Sequence, residues 1–585
     1  MNKLSLYAYW LSAAILLLSS TVYYPKWEYS GKDATISWDV SGYYLYLPAT
    51  FIYKDIKTMN WWPEIERKYQ PGPGMRQVFE HNSGNLVMKY PMGQALQFLP
   101  WFLTAHVLSE PLGYASDGFS RPYHVAISLG SLLIALIGLW LLRNILLRYF
   151  NERTTAIVLI SITLGSNYLE YGGISGAMTH NWLFTLNGML ILASIRFYQK
   201  PGFMMAAAIG LLVGWATITR PTEILSALIP LLWGISSWKD LASRLQLFQQ
   251  LWPKILVAGG IAFAIILLQP IYWKYATGEW IVYSYEEQGF TWFPPHIANV
   301  LWSAKAGWLV YSPIMILAVA GLFLLRKQLP QVFPVVAGYC LLALYVTSAW
   351  DIWWYGGSLG QRAIVQAYPL WAFCMGAFWV WAWKQSWSRW FFSTVTLVCI
   401  YLNVWWCHQA HHGRQFYAEQ MTRKYILTVL GKWTHHTEDL IYLDVKDSFD
   451  GAKRQDVKLL AMQDFELDSA AVITESSPIS GKKSARLTAE QAFTPAIRLP
   501  NPGLPYTWLR TTVTFRCEAK EWEIWGMTQF TVRFKLGERM IKEQTIRLQR
   551  HVEDNEVKTI GFDTRVPNEP FDQIEVFLWN PGSNK

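Results

Sequence analysis

Charge is scarce in this chain. Only 16% of its 585 residues are Asp, Glu, Lys or Arg, while 52% are hydrophobic and 16% aromatic. Soluble proteins carry about a quarter charged residues, so water is a poor solvent for most of this sequence and lipid a good one. Cysteine is scarce too. Cys340, Cys374, Cys399 and Cys407 lie in apolar segments and Cys517 stands alone, with no disulfide framework or metal-ligand spacing among them. No Gly-Lys-Ser/Thr phosphate loop, His-Glu-x-x-His pair or Asp-x-Asp motif falls at an interpretable place, which argues against chemistry on nucleotide-bound phosphates. The net charge of +9 does not imply a nucleic-acid partner. Its basic residues sit mostly in short breaks between apolar runs, where orientation in a membrane explains them.

Those runs are what the sequence does have. A spanning helix needs about 17–25 apolar residues, and such stretches recur from Leu4 to Cys407 and then stop. The first, 4–22, is followed by bulky Tyr23-Tyr24-Pro25-Lys26-Trp27 rather than a small-residue cleavage site, which predicts a retained anchor. Further spans are predicted near 123–142, 154–171, 177–195, 204–219, 222–237, 255–273, 306–325, 331–349, 364–383 and 390–408, about eleven in all. The intermediate stretch 91–108 is assigned to the interface. If it crossed, the loop carrying Arg143, Arg148 and Arg153 would lie outside, against the preference of Lys and Arg for the cytoplasmic side. This topology places the N-terminus in the cytoplasm and the C-terminal end outside, as in a bacterial inner membrane.

From about Tyr442 the periodicity changes to two. Val513, Phe515 and Cys517 alternate with Thr512, Thr514 and Arg516; Phe530, Val532, Phe534 and Leu536 follow, then Ile574, Val576 and Leu578. This predicts a β-sandwich punctuated by turns at Asn501-Pro502-Gly503 and Asn580-Pro581-Gly582. The expected organisation is a polytopic α-helical membrane domain, 1–410, with its first outer loop at 25–122; a linker, 411–441; and an outer β-sandwich, 442–585.

Several residues invite chemistry. Asp39 lies among aromatics in Trp38-Asp39-Val40-Ser41-Gly42-Tyr43-Tyr44. It reads either as a solvated acid in an interfacial aromatic belt or as a base with Tyr43 and Tyr44 facing a sugar. Arg220 and Arg362 fall at outer ends of spans against the charge rule, either snorkelling to headgroups or binding an anionic ligand. Glu170 and His180 bracket the second outer loop; each reads as an ordinary helix-end residue or as a site group. The loop between 272 and 305, with Glu286 and many aromatics, reads as an interfacial hairpin or a lid. Asp351-Ile352-Trp353-Trp354 offers stacking surface near Arg362.

The ordered set formed by Trp38-Asp39 through Ala49, Lys89-Tyr90-Pro91-Met92-Gly93-Gln94-Ala95-Leu96, Arg121 and Arg143 resembles the C-type (GT-C) superfamily of membrane glycosyltransferases. The branch it resembles is that of protein O-mannosyltransferases and aminoarabinose lipid A transferases. The resemblance covers about residues 1–410. It implies Asp39 as catalytic base, Lys89 as a ligand of the carrier phosphate, and a lid in the last long loop. The sequence departs from the pattern in two places. Val40 stands where branch members often have a second acid, and His180 replaces the acid of a Thr-Asp pair, leaving Glu170 as a second carboxylate. In the C-terminal segment, Tyr506, Trp508, Trp522, Trp525 and Trp579, with Gly481 to Leu487, resemble jelly-roll carbohydrate-binding modules, although core packing explains such aromatics as well.

The function these readings predict is transfer of a sugar from a polyprenyl-phosphate donor to a glycan, lipid or protein acceptor at the outer membrane face. Asp39, Glu170 and His180 are the expected catalytic residues. Lys89, Arg220 and Arg362 would bind the donor phosphate, and Tyr43, Tyr44, Glu286, Trp353 and Trp354 the substrate. No cofactor and no metal ligand set is assigned, and a divalent metal stays open. A transporter or lipid flippase is the rival from another class, but paired repeats and midplane charges are not evident. A scaffold presenting the β-domain is a third, and a surface-glycan polymerase or ligase falls within the first class.

Overall fold

A computed structural model of the chain describes residues 3–72, 77–285, 288–445, 447, 449, 457–503, 507–518, 524 and 526–582. The chain divides into two compact units, Met1–His412 and Gly413–Lys585.

The first unit is helical. Its principal helices are α1 (Leu4–Leu18), α2 (Trp38–Tyr44), α3 (Gly93–Ser109), α4 (Arg121–Leu146), α5 (Glu152–Gly165), α6 (Thr179–Gln199), α7 (Phe203–Thr219), α8 (Trp252–Thr277), α9 (Met315–Gln328), α10 (Phe333–Ala349), α11 (Tyr368–Ala382) and α12 (Ser386–His411). Among the described residues, five helical segments are long and apolar enough to cross a membrane: Leu4–Glu28, Arg121–Leu146, Trp252–Thr277, Arg362–Ala382 and Ser386–His411. Other expected spans are shorter or interrupted. The run near 154–171 breaks after Gly165, where Ser166 is extended. The run near 222–237 becomes a 3-10 turn, Pro221–Ala227, and the five-residue helix Leu228–Leu232. The run near 306–325 is divided between Trp308–Tyr311 and α9.

Local chemistry sets the helix ends. Pro follows the first residue of α4 and of α8, where its missing N–H costs nothing. Asn151 caps α5 by accepting from Thr154 N at 2.9 Å, and Gly278, at φ 85°, closes α8. Arg143 fastens α4 to two neighbours, donating to Ser5 Oγ at 2.8 Å and approaching Glu152 at 3.7 Å.

Small residues let helices approach. A Cβ at Gly210 of α7 would lie 2.2 Å from Ala258 O of α8, and one at Gly321 of α9 would lie 1.9 Å from Cys374 O of α11. Gly321→Val therefore forces α9 and α11 apart. Overpacking of this kind costs about 1–3 kcal/mol, so we expect a lowered melting temperature in detergent, read by size-exclusion after graded heating, and a wild-type profile would refute the close-packing argument.

The second unit is built on strands β1 (Ile497–Pro500), β2 (Trp508–Arg516), β3 (Gln529–Leu536), β4 (Arg539–Arg547), β5 (Val557–Arg565) and β6 (Gln573–Trp579). All pairings are antiparallel. One sheet runs β1-β6-β3-β4, a second pairs β2 with β5, and a short ladder pairs Ile473–Thr474 with Ser484–Ala485. Phe515 of β2 and Phe562 of β5 meet Phe530, Val532, Phe534, Ile546 and Ile574 of the larger sheet in one core. Val513, Cys517, Val576 and Leu578 pack against it, and Leu536, at a strand end, is exposed. Residues 413–441 fall within this unit, and Ile441 packs against its core. Just beyond it, buried Asp444 accepts from Arg547 at 2.6 Å. Trp508 packs edge-on against Phe449, and Trp579 stacks on Phe493. Tyr506, Trp522 and Trp525 lie outside the described residues.

Candidate active site

Asp39 follows a residue in an uncommon conformation. Trp38 has φ 49°, and its N–H donates to Pro71 O at 2.7 Å. A bulky residue held there costs roughly 1–3 kcal/mol, and such strain concentrates at functional sites. Asp39 then sits in the first turn of α2, where two groups address its carboxylate. Arg362 Nη2 donates to Oδ2 at 2.6 Å and Tyr90 Oη donates to Oδ1 at 2.7 Å. The pair is sheltered but open to solvent, with side chains 21% and 17% exposed for Asp39 and Arg362. The Nε of Arg362 is buried and has no hydrogen-bond partner among the described residues.

Tyr90 reaches Asp39 because Gly42 has no side chain: a Cβ there would lie 2.4 Å from the Tyr90 ring. Gly93, three residues after Tyr90, permits a second close approach, since its Cβ would meet Thr219 N at 2.4 Å. This contact brings the start of α3 against the end of α7, beside Arg220. Tyr43 packs edge-on against Tyr90 with ring centres 4.7 Å apart. Burial pushes the Tyr43 hydroxyl up, Asp39 adds to the effect, and Arg362 and Arg220 oppose it. Burial and then Asp39 push the Tyr90 hydroxyl up as well, which keeps it protonated as a donor. Burial raises Tyr285 to about 12; its ring edge faces Tyr90, and Lys89 Nζ lies 5.6 Å from its centre.

Arg220 and Arg362 each open an irregular 3-10 turn, Pro221–Ala227 and Arg362–Ala367. The Arg220 guanidinium lies 5.5 Å from the ring centre of Tyr355, another bulky residue at positive φ, 54°. Its Nη1 also contacts His180. His180 is 1% exposed and shares a hydrogen bond of 2.9 Å between Nδ1 and Gln366 Oε1. Gln366 Nε2 donates at 2.6 Å to Glu223, which also accepts from Tyr339 at 2.7 Å.

The structure thus brings Asp39, Arg362, Tyr43, Arg220 and His180 into one neighbourhood, with Lys89 reaching it through Tyr285. Other expected site residues make different contacts. Glu170 pairs with His411 at 2.7 Å and accepts from Ser175 at 2.7 Å, so both of its carboxylate oxygens are engaged by other groups. Tyr44 is core: its hydroxyl donates to Gly118 O at 2.6 Å and its ring packs on Phe102 and Phe119. Trp353 is buried, with its carbonyl accepting from Gln361 at 2.8 Å; Trp354 lies under Lys305 Nζ, 3.3 Å from the ring centre. Glu286 lies outside the described residues. Asp351 pins the loop before α9, accepting from Gly289 N and Thr291 Oγ1, each at 2.8 Å. No group of three or more His, Cys, Asp or Glu suited to a metal ion occurs among the described residues.

Sequence reasoning missed Glu223 and Gln366. Glu223 reads as a helix-start acid two residues after Pro221, and Gln366 as one polar residue ahead of an apolar run. Neither position carries a signal that separates a buried relay from a solvated surface. Volume is a poor guide here too. A cavity of about 10 Å³ touches Arg220, Glu223, Tyr355 and Gln366, enough for about one water, whereas a cleft of about 1640 Å³ lies in the second unit. Among the charged residues lining that cleft, Arg486 pairs with Glu518 and Arg510 with Asp563.

No family model matches the chain, and no curated protein matches it either. Among solved structures it is similar to the crystal structure of ArnT from Cupriavidus metallidurans in the apo state, with 17% sequence identity and a TM-score of 0.35. The match covers 57% of this chain and 58% of that one, so the chain spans little more than half the length of this neighbour.

Proposed function

We propose that this protein is an integral membrane glycosyltransferase of the GT-C type, with about eleven spans. It moves a sugar from a polyprenyl-phosphate donor to a hydroxyl or amine of a glycan, lipid or protein acceptor at the outer membrane face. The observation that carries the reading is the pairing of Asp39 with Arg362 at 2.6 Å, beside Arg220, together with the unpartnered, buried Nε of Arg362. A carboxylate that must take a proton and guanidiniums that must hold a departing phosphate are the two halves of this chemistry. In the resting arrangement each neutralises the other. A phosphate oxygen entering between the arginines competes for Arg362 and frees Asp39 to accept the acceptor's proton as the sugar–phosphate bond breaks.

Tyr43 and Tyr90 supply ring faces and hydroxyls for a sugar, and Lys89 adds a cation at the edge. Neither Glu170 nor Tyr44 contributes to this arrangement. The C-terminal unit, jelly-roll-like in the sequence resemblance, would present or receive the acceptor. Profiling lipid carriers and surface glycans in a deletion strain tests the proposal. We expect a polyprenyl-phosphate sugar to accumulate and one surface sugar to disappear, and unchanged profiles of both would refute it.

A further inference from the structure

The two arginine-bearing turns are joined by a chain of side chains that the transfer chemistry does not itself require. We propose that Glu223 is a positioning residue that holds Arg220 through Gln366 and His180, forming a polarised relay from carboxylate to amide to imidazole to guanidinium. The proposal rests on the donor-phosphate reading above for what Arg220 does, but not for how it is held.

The geometry fixes the direction of the relay. Arg220 Nη1 lies 3.2 Å from Nδ1 and 3.3 Å from Nε2 of His180. An atom equidistant from both nitrogens and lying in the ring plane would collide with Cε1, so Nη1 stands over the ring face. A neutral imidazole offers that face to a cation, whereas an imidazolium would repel it. His180 is therefore neutral and carries one N–H. At the other end, Glu223 accepts on both oxygens, from Gln366 Nε2 at 2.6 Å and from Tyr339 at 2.7 Å. Tyr339 in turn accepts from Asn187 at 3.0 Å, so its own proton is available to Glu223. Turning the Gln366 amide over would set its oxygen against a carboxylate oxygen with no hydrogen between them. With Nε2 committed to Glu223, Gln366 Oε1 faces His180 and requires the proton on Nδ1, 2.9 Å away. The reverse polarity would need a proton on Glu223, the Gln366 amide turned over and the His180 proton on Nε2, so the tautomer of His180 separates the two arrangements.

The layout also suits a positioning role. Arg220 and Glu223 lie on one turn, with Glu223 N donating to Arg220 O at 2.8 Å; Gln366 lies four residues beyond Arg362 on the other. Glu223 and His180 are almost completely buried, at 2% and 1% exposed, so neither side chain meets bulk solvent. The relay thus links the placement of one phosphate-holding arginine to the turn that carries the other.

The test is the full chain in lipid nanodiscs, labelled with ¹⁵N-histidine, with the His180 resonance identified by its loss in His180→Asn. We expect the Nδ1–H tautomer in the wild type and its loss in both Glu223→Gln and Gln366→Leu. Affinity for a polyprenyl phosphate should fall about tenfold in both variants, equivalent to about 1.4 kcal/mol. The isosteric Glu223→Gln guards against a folding defect, which melting temperatures would expose. An Nε2–H tautomer or an imidazolium in the wild type overturns the relay, as does an unchanged tautomer in both variants. A wild-type protein that shows the tautomer and its response but binds no polyprenyl phosphate supports the relay and overturns the donor reading.

Discussion

Asp39→Asn is expected to abolish nearly all sugar transfer while leaving the protein folded and able to bind its lipid donor. The amide keeps the size and the hydrogen bond from Tyr90 but cannot take a proton, and loss of a general base typically costs about 10²–10⁴-fold in rate. A loss near 10³-fold corresponds to about 4 kcal/mol of transition-state stabilisation. The variant also removes the negative partner of Arg362, which lies 2.6 Å away. Donor affinity should therefore hold or rise, because the phosphate no longer competes with a carboxylate for the guanidinium. Single-turnover transfer from a radiolabelled polyprenyl-phosphate sugar separates the two effects. A variant that binds donor and transfers at the wild-type rate sinks the mechanism.

Arg362→Lys should be nearly as damaging despite keeping the charge. Arg362 presents a fork: one arm holds Asp39 at 2.6 Å and the buried Nε has no partner among the described residues. A lysine ammonium is a point charge that cannot span carboxylate and phosphate with fixed geometry. Hydrogen bonds to charged groups contribute about 1.5–3 kcal/mol each, so losing one or two predicts a fall in kcat/KM of about 10²-fold or more. Because charge grows on the leaving phosphate as the bond breaks, some of the loss should fall on kcat rather than on KM alone. Steady-state kinetics over donor concentration decide this, and an unchanged kcat with a raised KM would reduce Arg362 to a docking residue.

Much of this protein was legible in its sequence. Low charge and repeated apolar runs require lipid-compatible helices, because no other chain-local arrangement satisfies every backbone N–H and C=O in hydrocarbon. Period-two alternation at Phe530, Val532 and Phe534 marks a strand that the structure buries in the C-terminal core. Arg220 and Arg362 stood out because charge at the end of an apolar run needs a reason, and Asp39 because it is an acid set among aromatics. The break at Ser166 and the irregular turn Pro221–Ala227 left no comparable mark, for hydropathy averages over irregular turns. Nor could Tyr43 be told from Tyr44, since adjacent residues of one kind share one local signal.

That division has a physical origin. Solvent preference and backbone periodicity are properties of consecutive residues, so the sequence alone determined the membrane-compatible helices, the change to strands and the short list of unusual charges. Which carboxylate meets which guanidinium depends on groups far apart in the chain, and only tertiary packing decided it. The tertiary structure set Asp39 against Arg362, turned Glu170 to His411, buried Tyr44 in the core, and joined Glu223 to His180 through Gln366. Close approaches at Gly42 and Gly93, which bring Tyr90 and the end of α7 to the site, exist only once the helices have packed.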